Sequence, residues 1–296
     1  MTDSRAAPEP VAGPGYRPGG HRDEPEVVVL GTGADVSAEA AVRIVTALAR
    51  AIEVRGRADF VTTGGSTPAG IYGVLAASFG DALDWTRVHV WWGDDRFVPR
   101  DHPLSNVRPA DAILFAQPDA ADGGDVRGLA IPTDYVHPFP CGEAIAGAHG
   151  AAWCARRYEA ELRASGLRES RGFPVFDVIL LGIGPDGHLL SVFPGSSTFD
   201  RLDWAMAVPA PTHVEPHVER VTLNPGVLAV AGSVLMVAIG AWKAAVVGEV
   251  FRTERDVRRL PAQLVRRSGV TWILDREAAA NLPAHLAGEA AITIGG

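Results

Sequence analysis

Cysteine is scarce in this chain of 296 residues. The two present, Cys141 and Cys154, form neither a CxxC pair nor a metal-ligand spacing, so a reducing cytoplasm is the expected setting. Long apolar runs are missing as well. The hydrophobic residues come in short bursts, none able to span a bilayer, and no membrane partner is expected. A basic surplus is also lacking. The net charge of −8 leaves no positive face for a phosphodiester backbone, which argues against nucleic acid. None of the nine histidines sits in H-E-x-x-H or in a helical i, i+4 pair with carboxylates, so no metal is expected. No serine lies in G-x-S-x-G, which argues against an acyl-enzyme hydrolase. Nothing marks an organic cofactor or an obligate protein partner.

What is present is ample material for a core: 47% of the residues are hydrophobic, with 33 glycines and 22 prolines to turn the chain. Residues 1–25 hold five prolines, four glycines and no apolar segment, and read as a disordered leader without a secretory signal. Residues 26–296 are expected to form a single α/β domain. "EVVVLG" (Glu26–Gly31) reads as a strand. A helix follows from Ser37, with Ser37 as its N-cap and Ala41, Ile44, Val45, Leu48 and Ile52 on one face. "DFVTTGG" is a second strand, with a helix from Pro68 after it. "RVHVWWGD" (Arg87–Asp94) is a third, followed by a polar loop and a short helix around Arg108–Leu114. Residues 116–140 read as a surface excursion and "AAWCARRYEAELRAS" as a helix. "FDVILLG", "SVLMVAIG" and "VTWILD" are further strands, the last two separated by a helix from Lys243 to about Thr253. Continuously apolar strands interleaved with helices predict a three-layer α/β/α fold. Its sheet would be mostly parallel and Rossmann-like, with helices on both faces.

In such sheets the ligand lies beyond the carboxyl ends of the strands, and each polar cluster of this chain follows a strand. "TTGGSTPAGIY" places Gly64, Gly65, Ser66 and Thr67 at a strand-to-helix junction, where N–H groups, hydroxyls and a helix N-terminus make a phosphate cradle. It lacks the lysine of a Walker loop, so a nucleoside triphosphate is not expected. A tight turn with a hydroxyl cap is the purely structural alternative. Arg220 in "ERVTLNP" and Lys243 in "IGAWKA" are the cations that could join it, unless they are solvated surface charges. In "WWGDDRFVPRDHPLSN", Asp94, Asp95 and Arg96 could pair with one another, while Asp101, His102, Ser105 and Asn106 could cap the next helix.

"ILLGIGPDGHLLSVFP" carries Gly182, Gly184 and Gly187 in the G-x-G-x-x-G spacing of a dinucleotide turn. Pro194 and Gly195 cut short any helix after it, and Asp186 puts negative charge where a pyrophosphate would lie. Both features count against the nucleotide reading, and a turn in which Asp186 merely caps and His188 lies on the surface is the purely structural alternative. What the turn offers is a carboxylate, Asp186, beside an imidazole, His188, that could accept a proton near neutral pH.

Taken together these segments resemble the 6-phosphogluconolactonases of the sugar-phosphate isomerase and deaminase superfamily. The resemblance rests on "TTGGSTPAGIY", "VHVWWGDDRFVPRDHPLSN", "FDVILLGIGPDGHLLSVFPGS", "VERVTLN", "IGAWKA", "LPAQLV" and "VTWILDREAA", in that order, from about Glu26 to Asn281. It implies hydrolysis of 6-phospho-D-glucono-1,5-lactone in the pentose phosphate pathway without metal or cofactor. It implies that Gly65, Ser66, Thr67, Arg220 and Lys243 hold the phosphate and that His188 is the general base. Asp186 and the Asp94/Arg96 pair would arrange lactone and imidazole. Related deaminases typically carry Asp-Glu-Tyr after the third strand and Asn-Glu-Pro after the histidine; this chain has "GDDRFVP" and "LLSVFPG" there. A non-catalytic sugar-phosphate sensor would have lost the proton-transfer residues, and here both are present.

Overall fold

The computed structural model describes residues 24–115 and 128–287; residues 1–23 of the expected leader and the first part of the 116–140 excursion lie outside them. The chain opens with β1 (Glu26–Leu30), α1 (Gly33–Arg55), β2 (Ala58–Thr62), α2 (Ser66–Ser78) and β3 (Val88–Trp92). Then come β4 (Asp94–Arg96), α3 (Arg108–Ile113), β5 (Val136–His137), α4 (Cys141–Ala146) and α5 (Ala151–Ala164). They are followed by β6 (Arg168–Ser170), β7 (Phe173–Val175), β8 (Val178–Leu181), β9 (Ala205–Val208) and β10 (Arg220–Leu223). The described chain ends with β11 (Ser233–Ala238), α6 (Ala244–Arg252), β12 (Val270–Asp275) and a short α7 (Ala284–Ala287).

Seven strands form one sheet in the order β1-β12-β11-β8-β2-β3-β5, and every neighbouring pair is parallel. β2 and β8 are buried along their whole length, because helices cover both faces of the sheet in a three-layer α/β/α arrangement. No described helix is long and apolar enough to cross a membrane.

Three sequence expectations are corrected. Helix α1 starts before Ser37, which sits inside the helix with its hydroxyl on Gly33 O at 3.0 Å. The N-cap is Thr32. Its hydroxyl accepts from Asp35 N, and Asp35 accepts in return from Thr32 N at 2.9 Å, a reciprocal box that satisfies two end donors and fixes the start. The third strand does not run on to Asp94. Gly93 still donates to Thr62 O (2.9 Å) in the parallel sheet, but its carbonyl accepts from Leu223 N (2.8 Å), so the chain changes partner there. Asp94–Arg96 then joins a second sheet, antiparallel, in the order β4-β10-β9. Finally, the 116–140 excursion returns to the core: Val136–His137 is β5, the edge strand beside β3.

The central ladder is not uniform. β2 and β8 pair only at Phe60↔Val178 and Val61↔Ile179, whereas β2 stays with β3 to Thr62↔Trp92 and β8 with β11 to Leu181↔Met236. The two middle strands therefore part at their carboxyl ends. That opening is where a ligand crevice forms in sheets of this kind.

Candidate active site

Loops from four adjacent strands, β11, β8, β2 and β3, meet over the opening, and they enclose a cavity of about 480 Å³ together with the small antiparallel sheet. The β2 loop brings Gly64, Gly65, Ser66 and Thr67, and the β3 exit brings Asp94 and Arg96. The β8 loop brings His188, β10 brings Arg220, and the turn after β11 brings Lys243. Asp186 does not line the cavity. It stands behind His188.

The phosphate-cradle residues begin α2. Gly65, at φ 105, takes a backbone conformation that only glycine enters freely, and no side chain caps the helix start. The first N–H groups of α2 are thus left over for another acceptor. Across the cavity Arg220 is buried, with 3% of its surface exposed, and its Nε and Nη1 have no hydrogen-bond partner. Only Nη2 is used, donating to Pro216 O at 2.7 Å. Burial, aided by the neighbouring Arg96, lowers the Arg220 pKa to about 10. Lys243 is the only lysine in the sequence. It is buried, donates to Ile183 O and lies 3.5 Å from the Trp242 ring centroid; burial lowers its pKa to about 8, against the opposing pull of Asp186. Unpaired cationic donors held out of water are costly unless an anion joins them.

The β8 loop holds the proton-transfer pair. His188 Nδ1 lies 2.5 Å from Asp186 Oδ1, which also accepts the His188 backbone N–H at 3.2 Å. With Nδ1–H committed to the carboxylate, Nε2 is the nitrogen left for chemistry. Burial alone would raise the Asp186 pKa, but the hydrogen bonds and charge of His188, and then of His213, hold it well below the usual carboxylate range. The turn between them is set by close approach. A Cβ on Gly184 would stand 2.0 Å from the His188 ring, and Gly184 N donates to His188 O at 2.8 Å. No helix follows Gly187: residues 188–193 form a turn closed by a Leu189↔Val192 bridge. The "LPAQLV" segment supports it from behind, where Ala262 N donates to Gly187 O at 2.8 Å.

Asp94 and Arg96 do not pair with each other. Asp94 accepts from Ser191 Oγ (2.6 Å) and Asn106 Nδ2 (3.2 Å), which ties the β3 exit to the histidine loop, while Arg96 Nη1 donates to Leu104 O (2.8 Å). Asp95 is buried and holds the loop instead, accepting from Arg96 N, Asn106 N and Ser105 Oγ. Burial pushes its pKa up to about 7 despite these donors. Nor do Asp101, His102, Ser105 and Asn106 cap α3, whose N-terminus has no side-chain cap. Sequence reasoning missed Ser191, His213, Glu215 and Trp242 on the cavity wall. Ser191 and Trp242 lie inside the segments "GHLLSVFP" and "IGAWKA", but nothing local singles them out from their neighbours, and His213 and Glu215 belong to an irregular connection without periodicity.

Comparison with known proteins places this geometry among relatives. A curated 6-phosphogluconolactonase of Synechocystis is 34% identical over 265 residues, covering 87% of this chain and 98% of the relative. The solved structure of a 6-phosphogluconolactonase from Trypanosoma cruzi matches with a TM-score of 0.75 at 29% identity, over 88% of this chain and 98% of that one. The corresponding enzyme structure from Trypanosoma brucei gives 0.74 at 30% identity, over 88% and 100%. A family model described as glucosamine-6-phosphate isomerases/6-phosphogluconolactonase matches residues 27–273. The chain belongs to the glucosamine-6-phosphate isomerase/6-phosphogluconolactonase family.

Proposed function

We propose that this chain hydrolyses 6-phospho-D-glucono-1,5-lactone to 6-phosphogluconate, the step that its relatives' names describe, by general-base activation of water. The observation that carries the reading is Arg220: a buried guanidinium with two unpartnered nitrogens, on a cavity that also receives an uncapped helix start and a histidine–carboxylate pair. A dianionic phosphate at one end and a reacting ester at the other would complete both halves.

In this reading Gly64, Gly65, Ser66, Thr67, Arg220 and Lys243 hold the phosphate, so the energy of a non-reacting group fixes the ring. His188 Nε2 takes a proton as water attacks the lactone carbonyl, and Asp186 keeps the imidazole in the right tautomer and steadies its positive form. The tetrahedral intermediate then breaks its bond to the ring oxygen, and that oxygen receives the proton from His188. A well-placed base supplies roughly 10²–10⁴-fold. Gly184 N–H is occupied and Pro185 has none, which leaves Arg96 as the favoured donor to the oxyanion, a contribution of ~10²–10³-fold. Asp94 acts by holding Ser191 and Asn106. The reading takes the chain from residue 26 onward as one catalytic domain. It also sets the protein in a reducing cytoplasm, the setting expected from two cysteines in neither a CxxC pair nor a metal spacing.

The test is to follow loss of freshly generated lactone over its spontaneous hydrolysis, with wild type and His188→Ala. Acceleration by wild type and its loss in the variant are expected. No acceleration, or ammonia release from glucosamine 6-phosphate instead, would overturn the assignment; an undiminished rate in His188→Ala would overturn the base.

A further inference from the structure

Asp186 carries two histidines, not one. Its Oδ1 faces His188, and its Oδ2 lies 2.8 Å from Nε2 of His213, a residue 27 positions away on the connection between β9 and β10. The ring of Phe193 packs against both, with centroids 4.7 Å from His188 and 6.0 Å from His213, the latter edge-on at 84°. His213 is half-exposed, while Asp186 and His188 are largely covered. A solvated surface histidine needs no such fixed contact. The far end of the same connection is held as well: Pro216 O accepts from Arg220, and Pro211 O from His217.

We infer that His213 is a second positioning residue of this reaction, which holds the free oxygen of Asp186 and thereby couples the β9–β10 connection to the orientation of His188. The inference rests on the functional reading above. A carboxylate bound through one oxygen can still swing about its Cβ–Cγ bond, and the imidazole swings with it. Bound through both oxygens, its plane is fixed, and so is the direction of His188 Nε2. The other charged groups lining the cavity with His188 and His213 are Lys243 from the turn before α6, Glu215 from the same connection, Arg220 at its end, and Asp94 and Arg96 from β4; His217 pairs with Glu215 at 3.0 Å and with Pro211 O instead. Because that connection also carries the carbonyl that holds Arg220, occupation of the phosphate subsite and alignment of the base ride on one piece of backbone.

The experiment compares pH profiles of lactone hydrolysis for wild type, His213→Ala, His213→Gln and His217→Ala. For His213→Ala, kcat should fall about tenfold, a fraction of the roughly 10²–10⁴-fold a base supplies, with KM within about twofold. The acid limb of its kcat/KM profile should move to higher pH, because Asp186 without its second donor leaves more negative charge beside the imidazole. The Gln variant keeps an N–H donor and should restore most of kcat. His217→Ala loosens the connection without touching Asp186 and should leave the acid limb in place. The downfield Nδ1–H proton resonance of His188 should shift in His213→Ala, a readout that needs no substrate. An unmoved limb and resonance in His213→Ala, a Gln variant no better than Ala, or the same limb shift in His217→Ala would each overturn the inference. Wild type failing to accelerate lactone loss would overturn the functional reading instead, and the resonance would still report the contact.

Discussion

Arg96 and Arg220 are direct register partners in the antiparallel β4–β10 pair, so two guanidinium groups leave one rung of the ladder on the same face. Like charges at such a position oppose each other, and here one of them is buried with two nitrogens unpartnered. The fold bears this cost where an anionic substrate would remove it, the usual trade between a stable scaffold and a working site.

Arg220→Met should therefore separate stability from binding. It removes the repulsion and the unpartnered donors while keeping much of the volume, so Tm should hold or rise. KM for the lactone should increase by about 10- to 100-fold, since hydrogen bonds to charged groups are worth about 1.5–3 kcal/mol. Inorganic phosphate should raise the Tm of wild type and not of the variant. A fall in kcat at unchanged KM would contradict the anchoring role.

Gly184→Ala should disable the site without unfolding the chain. The new methyl would stand 2.0 Å from two ring atoms of His188, and the imidazole would have to leave its place against Asp186. A loss of about 10²-fold or more in kcat is expected, because a misplaced base forfeits most of its contribution. The urea midpoint should change little. If kcat survived, the imidazole would not need its present position.

Asp95→Asn should stabilise the protein increasingly as pH rises. The folded pKa of Asp95, about 7, lies above its ordinary value of 3.8, so between these values the native state binds the proton and the unfolded state does not. The stability contributed by the group is fully present below pH 4 and is lost as pH climbs through 7. Asparagine carries no such penalty and can still accept from Arg96 N and Asn106 N. The difference in Tm between variant and wild type should widen from pH 5 to pH 8; a constant difference would mean that Asp95 is ionised throughout.

Lys243 offers a chemical test, being the only lysine of the sequence. With its pKa lowered to about 8 by burial, it should react with an amine-selective reagent at pH 9, as peptide mapping would show. Inorganic phosphate should slow that modification, and Lys243→Ala should chiefly raise KM. Labelling indifferent to saturating phosphate would remove Lys243 from the anion site.

The sheet and most of the site loops were legible in the sequence because their signals are local. β2, β8, β11 and β12 are apolar runs, and the glycine, hydroxyl and Asp-Gly-His clusters follow strands directly. The start of α1 was misplaced because Thr32 and Asp35 cap it from a stretch with no apolar period. The antiparallel sheet was invisible for another reason. Its strands are three or four residues long, and the pairing of Asp94–Arg96 with Arg220–Thr222 joins segments that no local pattern connects.

The sequence by itself determined which residues could carry chemistry: a phosphate-type loop, two cations, and a histidine two positions from an aspartate. Only the tertiary structure decided how they stand. It parted β2 from β8 to open the cavity, buried Arg220 opposite Arg96, and turned Asp94 toward Ser191 instead of Arg96. It also brought His213 to the far side of Asp186. Residue type is written position by position, whereas distance and burial arise when remote segments pack together. The glycine spacing of residues 182–187 matches a nucleotide turn, but folded it holds the imidazole of His188 against Asp186.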